Sequence, residues 1–297
     1  MDIETLLDRH RTNISLVIGN GVNRYGAAET TNSWHDLLIQ LSKLHRHTEL
    51  IKVPTGVALT EFYDVLDLKL NYSESEKSLQ QEFCDLISYW KPYAHHHYIM
   101  AWAKNNNVPV LTTNFDRVLA DAAGCSILRN QKGGFTAYYP WESYYGIGPI
   151  DDPSENFGIW HINGMERYRQ SIRLGLSHYM GSVERARNWF HKGNEKRLFS
   201  GKNIANWKGA NSWLHVIFNT PLLIFGLGLE ENEVFLRWLL IERARYFKKF
   251  PHRKKSAWYV HNKPINNPGK QFFLDGVGIK TIQTNSYDEL YGSGIWI

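Results

Sequence analysis

Residues 15–24 read Ser-Leu-Val-Ile-Gly-Asn-Gly-Val-Asn-Arg (SLVIGNGVNR), and the fold class turns on this stretch. Ser15 to Gly19 is a short apolar, β-branched run without polar alternation, the pattern of a strand buried on both faces. It stops at Gly-Asn-Gly. A buried strand that feeds such a turn and then a helix is a common opening for a parallel α/β sheet whose first turn faces a phosphate. Working outward, similar runs occur at Val108 to Thr112, Ile159 to Ile162, Leu222 to Phe225, Ala257 to Val260 and Ile279 to Ile282. Between them lie stretches of helical periodicity, notably Phe235, Leu236, Leu239, Leu240 and Ala244 after the fourth run. This alternation predicts an α/β protein built on a doubly wound, Rossmann-like parallel sheet.

The 297 residues are expected to form one domain, 1–297, large enough to bury a substantial core. Trp34 to Lys104 shows helical patterns and no strand, which predicts a helical module inserted at about 34–104 after the first strand. A second helical segment is expected at about 177–219. With 43% hydrophobic and 21% charged residues, wholesale disorder is excluded. The net charge of +5 is spread along the chain, which suits an anionic ligand and gives no reason to expect direct nucleic-acid binding. The densest basic run, Lys248, Lys249, His252, Arg253, Lys254 and Lys255, reads as a solvated helix end. Cys84 and Cys125 form no Cys-x-x-Cys pair, so neither a disulfide framework nor a thiolate zinc site is expected, and a reducing cytoplasm fits. The Met-Asp-Ile-Glu-Thr start lacks a signal pattern, and no run approaches the ~18 apolar residues of a membrane span. The expectation is a soluble protein away from the membrane.

In an open α/β sheet, ligands sit beyond the carboxyl ends of the strands, so the residues that end each run carry the information. They are Gly19-Asn20-Gly21-Val22-Asn23-Arg24, then Thr113-Asn114-Phe115-Asp116, then His161 with Asn163-Gly164, then Gly226-Leu227-Gly228, then His261-Asn262. Gly19 and Gly21 would let the backbone approach a pyrophosphate, with amides and a helix N-terminus facing its charge. Arg24 stands where Gly-x-Gly-x-x-Gly would have its third glycine. Plainer roles compete: Asn114 and Asp116 as helix caps, Arg24 as half of a salt bridge, His161 as a hydrogen-bonded structural residue. His95-His96-His97 cannot converge on one metal ion from a helix and reads as helix surface. The aromatic loop Tyr138 to Tyr145 reads as a lid or a subunit contact.

Together these segments resemble the sirtuin-like superfamily of NAD⁺-consuming proteins over most of the chain. Residues 19–24 look like its glycine-rich phosphate turn, and Thr112-Thr113-Asn114-Phe115-Asp116 is similar to its Thr-Gln-Asn-Ile-Asp segment. His161 with Asn163-Gly164 resembles its catalytic His-Gly element. Gly226 and Gly228 fall at its second nucleotide loop and Asn262 at its adenosine-side asparagine. Two features depart from the deacylases of that family. The interval that would hold a four-cysteine zinc module contains no cysteine, and the strand that pairs with an acyl-lysine peptide is not recognisable. Thr113 also replaces the glutamine that would touch ribose.

The pattern is closer to the zinc-free branch of bacterial antiphage defence. That resemblance implies an NAD⁺ glycohydrolase that depletes NAD⁺ in abortive infection, with His161, Asn114 and Asp116 catalytic. Gly19, Asn20, Gly21, Asn23, Arg24, Thr113, Gly226, Gly228 and Asn262 would bind the dinucleotide. It further implies no zinc, a homo-oligomer, and a HerA-type hexameric ATPase as a partner. An NAD-dependent protein deacylase and a non-catalytic NAD-binding scaffold subunit are the alternatives. The residues suit the chemistry, since nicotinamide leaves as a neutral pyridine and cleavage mainly requires stabilising a developing oxocarbenium ion. A neutral imidazole at 161 can accept a proton near pH 7. The Asn114 carboxamide offers a donor and an acceptor without adding charge.

Overall fold

A computed structural model describes residues 1–27, 33–44, 52–69, 77–129, 139–202, 205–231 and 233–297. Among the described residues eight strands form one mixed sheet: β1 (Ser15–Ile18), β2 (Val110–Thr112), β3 (Ser126–Arg129), β4 (Ser143–Gly146), β5 (Ile159–His161), β6 (Leu222–Phe225), β7 (Ala257–His261) and β8 (Lys280–Gln283). Their order is β3-β4-β5-β2-β1-β6-β7-β8. The six strands from β5 to β8 pair in parallel. Numbered among themselves along the chain, they lie 3-2-1-4-5-6, an order compatible with a Rossmann-like fold.

The helices are α1 (Ile3–His10), α2 (Gly21–Arg24), α3 (Trp34–Leu44), α4 (Leu59–Lys69), α5 (Leu79–Ile87), α6 (Ala94–Asn105), α7 (Val118–Ala123), α8 (Leu176–His191), α9 (Trp213–Asn219), α10 (Val234–Lys249), α11 (Pro268–Gly276) and α12 (Tyr287–Tyr291). Local chemistry sets several of their ends. Ser78 and Gln81 form a reciprocal capping box at the start of α5, and Asn267 caps α11 ahead of Pro268. Residues alternate across the sheet as its two-residue period requires. Val17, Leu111, Trp160, Ile224 and Tyr259 join one apolar cluster with α8, α9 and α10. Leu16, Ile18, Val110, Ile159 and Phe225 join another with α1, α6, α7 and α12. The helices α3, α4 and α5 pack around a third cluster that includes Leu38, Leu41, Phe62, Phe83 and Cys84. Within 34–104 every described element is a helix, and 45–51 and 70–76 lie outside the described residues.

Several expectations are corrected. The sheet is not wholly parallel: β3 and β4 add an antiparallel hairpin at one edge, with Ile127 opposite Tyr145. The aromatic loop contains β4, and its Tyr139, Trp141, Tyr144 and Tyr145 are buried, so these rings are core rather than a lid; Tyr138 lies outside the described residues. The second strand starts at Val110, because Pro109 has no N–H to give to a ladder and only its carbonyl pairs, with Leu16. The histidine triplet is not plain helix surface, since His95 and His96 are buried. In the basic run, Lys249 donates to Phe199 O at 2.9 Å and Arg253 to Gly201 O at 2.6 Å, so part of it is tied to the fold.

Arg243 on α10 is buried and ends in backbone carbonyls: Nε donates to Ile217 O at 2.8 Å, and a terminal nitrogen reaches Thr220, Lys255 and Ser256 O at 3.1 Å. One guanidinium thereby fastens the end of α9 to the approach of β7. Arg243→Leu keeps bulk but strands these acceptors, and should cost about 2 kcal/mol in urea unfolding. A change no larger than that of an exposed substitution would contradict this role. No described helix is long and apolar enough to cross a membrane.

Candidate functional site

The site lies where β1 is flanked by β2 on one side and β6 on the other. The chain leaves β1 toward β2 and later crosses back to β6, so the loops beyond these strands diverge and leave a crevice. A cavity of about 480 Å³ occupies it, a size suited to a small-molecule ligand. Asn20, Gly21 and Arg24 line it from beyond β1, and Thr113, Asn114 and Asp116 from beyond β2. Gly226 and Gly228 do so from beyond β6, Asn262 from beyond β7, and Asn163 from beyond β5. The helical module supplies an apolar wall that includes Trp34, Leu37, Phe83, Ile87 and Trp90.

Gly19, Asn23 and His161 do not line the cavity but touch residues that do. His161 sits at the end of β5, opposite Thr112 of β2. Its ring nitrogen Nδ1 lies 2.8 Å from the Asn114 carbonyl oxygen. A carbonyl only accepts, so Nδ1 carries the proton and Nε2 is a bare lone pair. Burial pushes the ring's pKa down to about 4, outweighing the bond to Asn114, so the imidazole is neutral. Nε2 is buried with no hydrogen-bond partner, and so are both Oδ1 and Nδ2 of Asn114. Buried polar groups rarely stay unpaired, and three such atoms on two bonded neighbours beside a cavity point to a polar ligand or water.

Asn114 is held from its backbone. Thr112 Oγ1 donates to Ile18 O at 2.9 Å and accepts from the Asn114 N–H at 3.1 Å. Its side chain is therefore free of the capping role that competed for it. Asp116 does both: Oδ1 accepts from Val118 N at 2.9 Å, steadying the entry to α7, while the residue also lines the cavity. Burial pushes its carboxyl up to about 6 against the pull of that bond and one from Asn23.

The glycine turn works differently from the expectation. The Gly19 amide donates to Phe225 O at 3.0 Å and the Gly21 amide to Gly226 O at 2.5 Å. The amides of Val22, Asn23 and Arg24 turn back onto Gly19 and Asn20. Those donors are spent inside the fold. What requires glycine is the approach of the two loops: a Cβ on Gly21 would lie 2.8 Å from Gly226 Cα. Gly226 itself has a φ of +71°, which L side chains rarely adopt. Arg24 remains as a cation on the cavity wall.

Sequence reasoning missed Glu233 and the module's aromatic wall. Glu233 precedes α10 and lines the cavity, and burial alone pushes its carboxyl up to about 7. In the sequence it simply follows Glu-Glu-Asn at 230–232, and nothing there distinguishes it from its acidic neighbours. Among the described residues no group of three His, Cys, Asp or Glu could hold a metal ion. The chain matches no protein-family model and no curated protein.

Proposed function

We propose that this chain is an NAD⁺ glycohydrolase with a sirtuin-type, doubly wound Rossmann-like domain spanning 1–297. The observation that carries the reading is a set of buried, unpaired polar atoms: the carboxamide of Asn114, which lines the cavity, and Nε2 of His161, whose Nδ1 donates to the Asn114 carbonyl. The net reaction is NAD⁺ plus water giving nicotinamide, ADP-ribose and a proton. Asn114 orients the water or a ribose hydroxyl, and His161 Nε2 accepts the proton as the glycosidic carbon gains cationic character. Asp116 accepts from the nicotinamide carboxamide, and Arg24 faces the pyrophosphate in place of the engaged glycine amides. Gly226, Gly228 and Asn262 form the adenosine side.

In this reading the protein is cytoplasmic and homo-oligomeric, needs no zinc, and serves antiphage defence by depleting NAD⁺, with a HerA-type ATPase as a partner. Purified chain incubated with NAD⁺, alone and with such an ATPase, should yield equal amounts of nicotinamide and ADP-ribose by mass spectrometry. Release that requires an acylated lysine peptide would make it a deacylase instead. Tight binding without turnover under either condition would make it a scaffold.

A further inference from the structure

The histidine triplet finds a use in a relay that runs from α6 to the cavity. The Tyr93 N–H donates to His96 Nδ1 at 2.9 Å, so Nε2 must carry the ring proton. Nε2–H in turn donates to Asn23 Oδ1 at 3.1 Å. With Oδ1 committed there, the Asn23 amide turns Nδ2 the other way. Nδ2 donates to Asp116 Oδ2 at 2.8 Å and to Asn20 Oδ1 at 3.0 Å. His96, Asn23 and Asp116 are all buried, and Asn20 and Asp116 line the cavity.

We propose that His96 is a positioning residue for the cavity: through Asn23 it fixes which end of a buried amide meets the Asp116 carboxylate. An asparagine has two nearly isosteric orientations. One offers Asp116 a donor, and the other sets an amide oxygen against a carboxylate oxygen. The histidine selects the first because its ring can only donate at Nε2 while Tyr93 occupies Nδ1. Burial pushes the His96 pKa down to about 3, with His95 adding to the effect, so the ring stays neutral and the selection holds across ordinary pH. Asp116 is thereby kept able to ionise and to accept from a ligand donor despite its burial. Of the other charged or titratable groups, Asp121 on α7 acts on Asp116, His95 and His97 flank His96 on α6, and Arg24, His35 and Glu233 share the cavity wall with Asp116. The inference rests on the NAD⁺ reading only for the identity of the donor that Asp116 meets.

The test is the titration of Asp116 itself, followed by carboxyl ¹³C resonance in labelled protein and assigned with Asp116→Asn. It needs no substrate, so its outcome is independent of whether NAD⁺ is hydrolysed. His96→Phe keeps a ring against Tyr93 and His95 but loses the donor. It should shift the midpoint of Asp116 alkaline by about one pH unit, the usual effect of losing a hydrogen bond to the charged form. His96→Gln, whose amide can replace the Nε2 donor, should stay near wild type. Asn23→Ala should shift as His96→Phe does, and adding His96→Phe to Asn23→Ala should add nothing. An unshifted midpoint in His96→Phe overturns the proposal. So does an additive shift in the double variant, which would mean that the histidine acts by another route; should His96→Phe fail to fold, Asn23→Ala with an unshifted midpoint overturns it equally.

Discussion

His161→Asn is expected to lower nicotinamide release by at least about 100-fold while leaving the protein folded, since general-base assistance typically contributes 10²–10⁴. The choice of asparagine matters. Its Nδ2 can stand in for the Nδ1–H that donates to Asn114 O, so the neighbour stays in place, but nothing replaces the Nε2 lone pair. A structural histidine would tolerate this exchange, and a catalytic one would not. His161→Asn with near-full turnover would remove His161 from the chemistry and leave only Asn114 to support the reading. Stability gives a second readout. Because burial lowers the folded-state pKa from 6.5 to about 4, the unfolded chain binds more protons in that window. The neutral ring's contribution is present above 6.5 and lost as pH falls toward 4. Wild type should therefore lose stability relative to His161→Asn between those values, followed as Tm against pH.

Gly19→Ala should cost about 3 kcal/mol and lower Tm by roughly 5–10 °C, because a methyl group has nowhere to go. Its Cβ would sit 2.6 Å from Gly226 O and closer still to Leu227 Cβ, and both belong to a loop held by the β1–β6 ladder. The cause is space, not dihedral strain, since Gly19 does not need positive φ. Gly148→Ala is the control, with nothing near its Cβ, and should be close to neutral. Equal melting temperatures for the two variants would contradict the close approach of the β1 and β6 loops. The same test separates two uses of a glycine turn. If Gly19 served only a phosphate, alanine there would weaken binding and spare stability.

Five of the six parallel strands were legible because each is a continuous apolar run buried on both faces and ended by Gly, Thr or His, whereas in β8 only Ile282 is buried. The hairpin β3–β4 was not. Ser126–Arg129 lies at an exposed edge with no clear alternation, and Ser143–Gly146 is a run of aromatics in which strand and loop look alike. Residues beyond the strand ends could be picked out by position, and Asn114, Asp116 and Arg24 do meet at one cavity. Their hydrogen bonds could not. That the glycine amides serve Phe225 and Gly226 depends on a contact between residues about 200 apart, which no local pattern encodes. His96 was hidden for a similar reason: which of three adjacent side chains turns inward depends on how α6 meets α2.

The cavity is bounded by two kinds of material. Asn114, Asp116 and Gly226 hang from strands locked by ladders, whereas Trp34, Phe83 and Ile87 belong to a helical module whose apolar interior is distinct from both interiors beside the sheet. The pocket's shape and its polar floor are thus set by separate parts of the fold. Repacking the module would alter which molecules fit, yet the polar groups at the strand ends would keep their spacing, so new ligand preferences are open to the chain without rebuilding that floor.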